Sequence, residues 1–211
     1  MVNGIEREIG MTPRIDVFDG TGGSEKYEIL LDAIRHLETY KPGTKFSSHP
    51  DSPKFIEELK SRSKRVGDGY DLVSLINTAF KHKYFRMPTQ KIILIDEPGY
   101  QGDNSMRGMT GGFDFDSNGV LKGAIAISTS GLSDDFLYSV SCHELGHIYG
   151  ATHRDEGITS NGGRHCVDRL CAMNELSLNE ETPTRRVNKL PMYCGVCQDG
   201  IRNFGGENEN E

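Results

Sequence analysis

Hydrophobic positions recur along this chain with two periods, and the switches between them mark out its elements. Ile15 to Phe18 is a β-branched and aromatic run that ends in a glycine-rich turn, Asp19 to Gly23, and reads as a strand. From Glu25 to Thr39, Tyr27, Leu30, Leu31, Ile34 and Leu37 fall at helical spacing until Pro42-Gly43 ends the pattern. Phe55 to Leu59 is a short helical or extended piece, and Asp71 to Phe85 is a helix with Leu72, Leu75, Ile76, Ala79 and Phe80 on one stripe. Lys91 to Asp96 is apolar without alternation, as a buried strand should be, and is closed by Glu97-Pro98-Gly99. Gly112 to Phe115 and Val120 to Ser128 form a hairpin around Asp116-Ser117-Asn118-Gly119, where Asn-Gly suits a tight turn. Ser133 caps a last long helix with Asp134 and Asp135 in its first turn, where anions complement the dipole. That helix runs to about Tyr149 and stops at Gly150, after which the chain turns irregular and cysteine-rich. The class is therefore α/β, followed by an irregular lobe.

Composition sharpens this. The 211 residues suit one domain, but only 35% are hydrophobic, 25 are glycine and none is tryptophan, so the core is modest and loops are many. A formal net charge of −7 argues against nucleic acid or an anionic membrane as the main partner. The longest aliphatic run is Ile92 to Ile95, far too short to span a bilayer. The first residues lack the basic start and apolar core of a signal peptide, which predicts a cytoplasmic protein. Residues 198–211, ending in Glu-Asn repeats, read as a disordered acidic tail. The main domain then covers 1–197, with an upper α/β part over about 12–150, its last helix at 133–149, and a lower lobe over 151–197.

Five cysteines are a poor disulfide framework, and four of them, Cys166, Cys171, Cys194 and Cys197, form two close pairs near the C-terminus. In a reducing compartment such pairs read first as metal ligands, with redox pairs or disulfides as the alternative. Cys142 stands alone inside the helix and reads as a packed side chain. Asp114, Asp116, Asn118 and Gly119 copy the opening of a calcium loop, but its twelfth position is Ile125, so a hairpin turn explains them better.

The chemistry gathers in His143-Glu144-Leu145-Gly146-His147-Ile148-Tyr149-Gly150-Ala151-Thr152-His153. On a helix, residues four apart share a face, so His143 and His147 can present two imidazoles to one metal. Glu144 lies beside the first of them, where it can hold a water and take its proton. Gly150 permits the chain to turn back and bring His153 as a third ligand. Three protein ligands leave a fourth position open, the layout of a catalytic zinc.

This long motif resembles that of the metzincin zinc peptidases. With His165-Cys166, four residues, Cys171-Ala172-Met173 and a later Cys194-Gly195-Val196-Cys197, the pattern is similar to that of the archaemetzincins. The resemblance spans about Gly112 to Cys197 and is sharpest from Ser141 to Met173. It implies a metzincin-like zincin fold, with a mixed twisted sheet, backing helices and a zinc-stapled C-terminal lobe. It implies two zinc ions, one catalytic and one structural, the latter held by Cys166, Cys171, Cys194 and Cys197. It also implies that Met173 is the methionine of the turn beneath the catalytic metal. The chain departs from the family at two places, and at the first of them 12 residues, Arg154 to His165, separate His153 from Cys166. The third zinc ligand is therefore His153 by helix spacing, or His165 by adjacency to the cysteines, and the spacing favours His153. At the second, the 20 residues between Met173 and Cys194 are slightly more than the family norm, and the excess reads as a loop insertion.

The expected function is that of a monomeric zinc peptidase acting on peptides or proteins, with Glu144 as general base. A zinc hydrolase of non-peptide amides and a non-catalytic two-zinc binding module are the alternatives.

Overall fold

A computed structural model describes residues 14–23, 25–49, 51–82, 89–115, 121–151, 159–160, 165–174 and 191–203. Its centre is β5 (Gln90–Ile95), buried at every position, which is where the unbroken apolar run of the sequence leads. Strand β1 (Arg14–Asp19) lies beside it, with β2 (Lys45–Ser48) beyond β1, and these three are parallel. On the other side come β9 (Leu121–Ser128), parallel to β5, and then β8 (Gly108–Phe115), antiparallel to β9, giving the order β2-β1-β5-β9-β8.

Side chains alternate across a strand, so one sheet serves two cores. Ile15, Val17, Ile92, Leu94, Ile125 and Ile127 point into a cluster with α1 (Glu25–Glu38) and α4 (Asp134–Ile148). Phe18, Ile93, Ile95, Ala124 and Ala126 point into the opposite one, with α2 (Ser52–Arg62) and α3 (Leu72–Phe80). The mixed sheet with backing helices is thus what the family resemblance implies. The turn after β1 is held by Asp19, whose carboxylate accepts the backbone N–H groups of Thr21 and Gly23 at 2.8 and 2.7 Å. Gly22 and Gly23 take φ of 77° and 76° there, backbone that other residues rarely adopt.

A second, small sheet, β3-β4-β6-β7, is built from β3 (Arg65–Val66), β4 (Gly69–Asp71), β6 (Gly99–Gln101) and β7 (Asn104–Met106). The sequence does not announce it, since strands of two or three residues carry no period. Below α4, β10 (Thr159–Ser160) pairs with β11 (His165–Cys166), and α5 (Gly195–Asn203) closes the described chain. Helix α5 moves the start of the expected tail: residues 198–203 are helical, because Ile201 is buried in the main core and Gly200 lies against the Gly150 carbonyl. Helix α3 ends at Phe80 rather than Phe85, and Phe85, like the expected turn at Asp116–Gly119, falls outside the described residues. Among the described residues no helix is long and apolar enough to cross a membrane.

One ion pair sits inside this sheet. Lys91 is 1% exposed, and its ammonium lies 3.0 Å from Asp16 Oδ2 across the β1–β5 pairing. Asp16 also accepts the hydroxyls of Ser47 and Thr89 at 2.8 and 2.7 Å. Burial by itself raises the Asp16 carboxyl, but hydrogen bonds from Thr89, Ser47 and Lys91, with the Lys91 charge, outweigh it and hold it below its ordinary value. Burial pushes Lys91 below the usual lysine range despite Asp16. In the fold Asp16 stays ionised at pH values where the unfolded carboxyl, near about 3.9, is already protonated. Its stabilisation is therefore complete above about pH 4 and is lost as pH falls through the lower folded value. Lys91→Met, which leaves a partly buried carboxylate without its cation, is expected to cost about 2–3 kcal/mol in urea unfolding at neutral pH. Asp16→Asn is expected to flatten the acid limb of stability against pH, and an unchanged limb would show that the carboxyl is not depressed.

Candidate metal centre

Helix α4 is capped by the Ser133 hydroxyl, which accepts from Phe136 N, and it is buried from Phe136 to Gly146. A helix enclosed on all sides offers rigid placement to what it carries. One turn apart on it, His143 and His147 bring their rings to 4.7 Å between centroids and their Nε2 atoms to 3.0 Å. A third imidazole comes from β11: His165 lies 5.1 Å from the His143 ring and 5.2 Å from that of His147. One nitrogen from each of the three falls within 4.8 Å of the others. Ligands about 2.0–2.1 Å from a tetrahedral zinc stand roughly 3.3 Å apart, so the helical pair is already close to the required spacing. His153, which helix spacing favours as third ligand, lies outside the described residues.

The tautomer of His143 is fixed. Its Nδ1 donates to the Ala172 carbonyl at 2.7 Å, so Nε2 keeps its lone pair and faces the other imidazoles. Burial, assisted by the neighbouring His165, pushes His143 down to about 4 against the opposing effect of the Ala172 bond. The ring is therefore neutral near pH 7, the form that binds a metal.

Glu144 is 5% exposed and lies beneath the start of β8. Burial pushes its carboxyl up to about 7, although the Thr110 hydroxyl, which donates to Oε2, pulls the other way. Gly108 comes so close that a Cβ there would stand 2.6 Å from Glu144 Oε1. No pattern in the sequence marks Thr110 or Gly108, because their partner is 34 and 36 residues away in the chain.

Met173 is fully buried under α4, its sulfur against Gly146. Around it the lower lobe is laced to the helix. Ala172 N donates to Met192 O at 2.6 Å, Cys166 N to Met173 O at 2.8 Å, and the Tyr193 hydroxyl to the Cys142 carbonyl at 2.6 Å. Ala172 and Tyr193 are the tying residues that reading the sequence missed, and nothing in a backbone carbonyl's sequence context could have flagged Ala172. Cys142 is buried, as a packed side chain should be.

The four other cysteines come together too. Cys166, Cys171, Cys194 and Cys197 are free thiols, and their sulfurs lie within 4.8 Å of one another. Sulfurs about 2.3 Å from a tetrahedral zinc stand roughly 3.8 Å apart, and Cys166 and Cys194 Sγ are 3.7 Å apart. Backbone N–H groups already point at two of them, Asp168 N at Cys166 Sγ (3.4 Å) and Cys194 N at Cys171 Sγ (3.3 Å). A hydrogen bond from Cys197 draws Cys171 down to about 6, while burial pushes Cys166 up to about 12. Cys197, giving its proton to Cys171, is raised as well. Four thiolates this close repel one another, and a divalent cation is what lets them ionise together. The donor chemistry of both clusters thus fits zinc.

No protein-family model matches the chain, and no curated protein matches it significantly. Among solved structures, archaemetzincin from Methanopyrus kandleri is 18% identical, with a TM-score of 0.51 over 94% of this chain and 97% of that one. Metalloproteinase-II from Bacteroides fragilis is 13% identical with a TM-score of 0.44, covering 85% of this chain and 53% of that one. The fold is archaemetzincin-like.

Gly146 offers a test of how the lobe seats. Alanine gains about 1 kcal/mol over glycine in a helix interior, whereas overpacking a filled core costs about 1–3 kcal/mol. A Cβ at Gly146 would overlap the Met173 sulfur and stand 3.1 Å from Tyr193 Cε1, and both side chains are buried. Gly146→Ala is therefore expected to lower the urea midpoint, by about 1 kcal/mol of stability. A higher midpoint would mean that propensity wins and Met173 does not press on the helix.

Proposed function

We propose that this protein is a zinc-dependent peptidase of metzincin type, with Glu144 as its general base. The observation that carries the reading is the convergence of three imidazole nitrogens within 4.8 Å, beside a buried carboxylate on the same helix. His143, His147 and His165 would hold the catalytic zinc, and Cys166, Cys171, Cys194 and Cys197 a structural one, two ions per chain. His165 is preferred to His153 because its ring nitrogen converges with those of His143 and His147 and it directly precedes Cys166, which fastens it to the thiolate cluster.

When bound, the catalytic zinc would lower the pKa of water at its open position towards 7 and polarise a substrate carbonyl. The protein's own groups do the rest. His143 is kept in one tautomer by Ala172, so its ligand nitrogen needs no rearrangement. Glu144 takes a proton from the attacking water and passes it to the leaving nitrogen, with Oε1 as the acting atom because Oε2 holds the Thr110 hydroxyl. Strand β8 is at the edge of its sheet, so an extended peptide can pair with it through main-chain hydrogen bonds. That edge favours a peptide over a small non-peptide amide.

Digestion of an unbiased peptide library, read by mass spectrometry, tests the activity. Glu144→Ala is expected to lose about 10²–10⁴-fold in rate while keeping both metal equivalents. Equal cleavage by mutant and wild type would remove Glu144 from its role, and silence from a zinc-loaded wild type would sink the peptidase. Metal analysis separates the two candidate ligands: His165→Ala is expected to lose one zinc per chain and His153→Ala none. The reverse result would restore His153.

A further inference from the structure

Strand β8 opens with Gly108-Met109-Thr110, and alternation places the first and third of these on one face. Met109 packs on the opposite side, against the cluster of α2 and α3. The pairings Gly108 with Ile127 and Thr110 with Ile125 fix this register, so Gly108 and Thr110 both stand over α4. What they meet there is Glu144. Gly108 brings bare backbone against the carboxyl: a Cβ would fall 2.6 Å from Oε1, 2.8 Å from Cγ and 2.9 Å from Cδ. The Thr110 hydroxyl donates to Oε2, and its oxygen also lies 3.3 Å from the Glu144 carbonyl.

Among the described residues, Thr110 is the one hydrogen-bond partner of this carboxylate. A glutamate side chain has three rotatable bonds, and its terminal torsion is broad. Wedging Cγ against Gly108 and tying Oε2 to Thr110 removes that freedom. Both hydrogen bonds of the Thr110 hydroxyl go to Glu144, so the arrangement acts on the carboxylate.

We propose that Thr110 and Gly108 are positioning residues for Glu144: Thr110 fixes the plane of the carboxylate through Oε2, and Gly108 provides the space that lets it lie there. The proposal rests on the reading of Glu144 as general base, and its test separates the two. Thr110→Val keeps the shape and the β-branch and removes only the hydroxyl, while Thr110→Ser restores it.

The contact itself is tested without any activity, by a double-mutant cycle in urea unfolding of the zinc-loaded protein using Thr110→Val, Glu144→Ala and the double variant. The two changes are expected to be non-additive, and additivity would overturn the proposal. With peptide substrate, Thr110→Val is expected to lower kcat about tenfold or more, the scale of a hydrogen bond to a charged group, with KM within about twofold and zinc content unchanged. Thr110→Ser is expected to recover most of kcat. Gly108→Ala is expected to lower kcat further, with both metals still bound. A raised KM at constant kcat, or a loss of zinc in Thr110→Val, would overturn the positioning role. If wild type cleaves no peptide, the function falls, and the unfolding cycle still decides whether β8 holds Glu144.

Discussion

The hydrogen bond from His143 Nδ1 to the Ala172 carbonyl joins the two halves of this molecule at their most consequential point. Above it stands a helix held on all sides by the sheet and α1; below it runs a lobe whose described residues before α5 carry little regular structure. The bond settles which nitrogen of His143 is protonated, and thus which one can face a cation. It also demands that Ala172 be where it is. That position depends in turn on Ala172 N to Met192 O, on Met173 O to Cys166 N and on the Tyr193 hydroxyl reaching Cys142. Each of these bonds involves a residue next to a cysteine of the thiolate cluster, or a cysteine itself. The second cluster is therefore built into the framework of the first.

Such an arrangement makes sense for a chain only 35% hydrophobic. Ordering a residue costs about 1–2 kcal/mol of backbone entropy, and short irregular segments bury too little to repay it. The lower lobe contributes Cys166, Cys171, Ala172, Met173, Met192, Tyr193, Cys197 and Ile201 to the main core, mostly small or flexible side chains. Four sulfurs spaced for one tetrahedral cation would, on the proposed reading, supply what these contacts lack when an ion is bound, since metal affinity in a site absent from the unfolded chain is folding free energy. Tyr193 extends the brace towards α1, stacking near His36 at 6.3 Å and meeting Tyr40 edge-on at 5.6 Å.

What the sequence makes legible follows the range of the interaction that creates it. Helix α1 and strand β5 declare themselves through local apolar periods, and both stand within a residue or two of where those periods place them. Helix α4 is legible through its cap and through His143 and His147 at one-turn spacing rather than through a polar stripe, because it has almost no exposed face. The small sheet is illegible because its strands are too short for a period, and α5 because two buried residues anchor an otherwise polar segment. The hydrogen bonds that set the site, from Thr110 to Glu144 and from His143 to Ala172, join residues 34 and 29 apart in sequence. Nothing local to either end predicts them.

The third imidazole shows where local reasoning stops being sufficient. Helix geometry can specify His143 and His147, since one rigid element carries both, and the same geometry continued past Gly150 points to His153. His165 reaches the other two by a different route: it is paired in β11 with β10 and followed at once by Cys166, whose sulfur belongs to the second cluster. A ligand supplied by helix spacing would make the first centre independent of the second. A ligand supplied by His165 makes the centres share a peptide bond, so whatever closes the thiolate cluster also limits where the imidazole can go. Thermodynamic linkage then runs both ways: an ion in either centre favours the arrangement that the other requires. The 12 residues between His153 and Cys166 are thus more than a longer loop. On the proposed ligand set they transfer the placing of one imidazole from the helix to the cysteines.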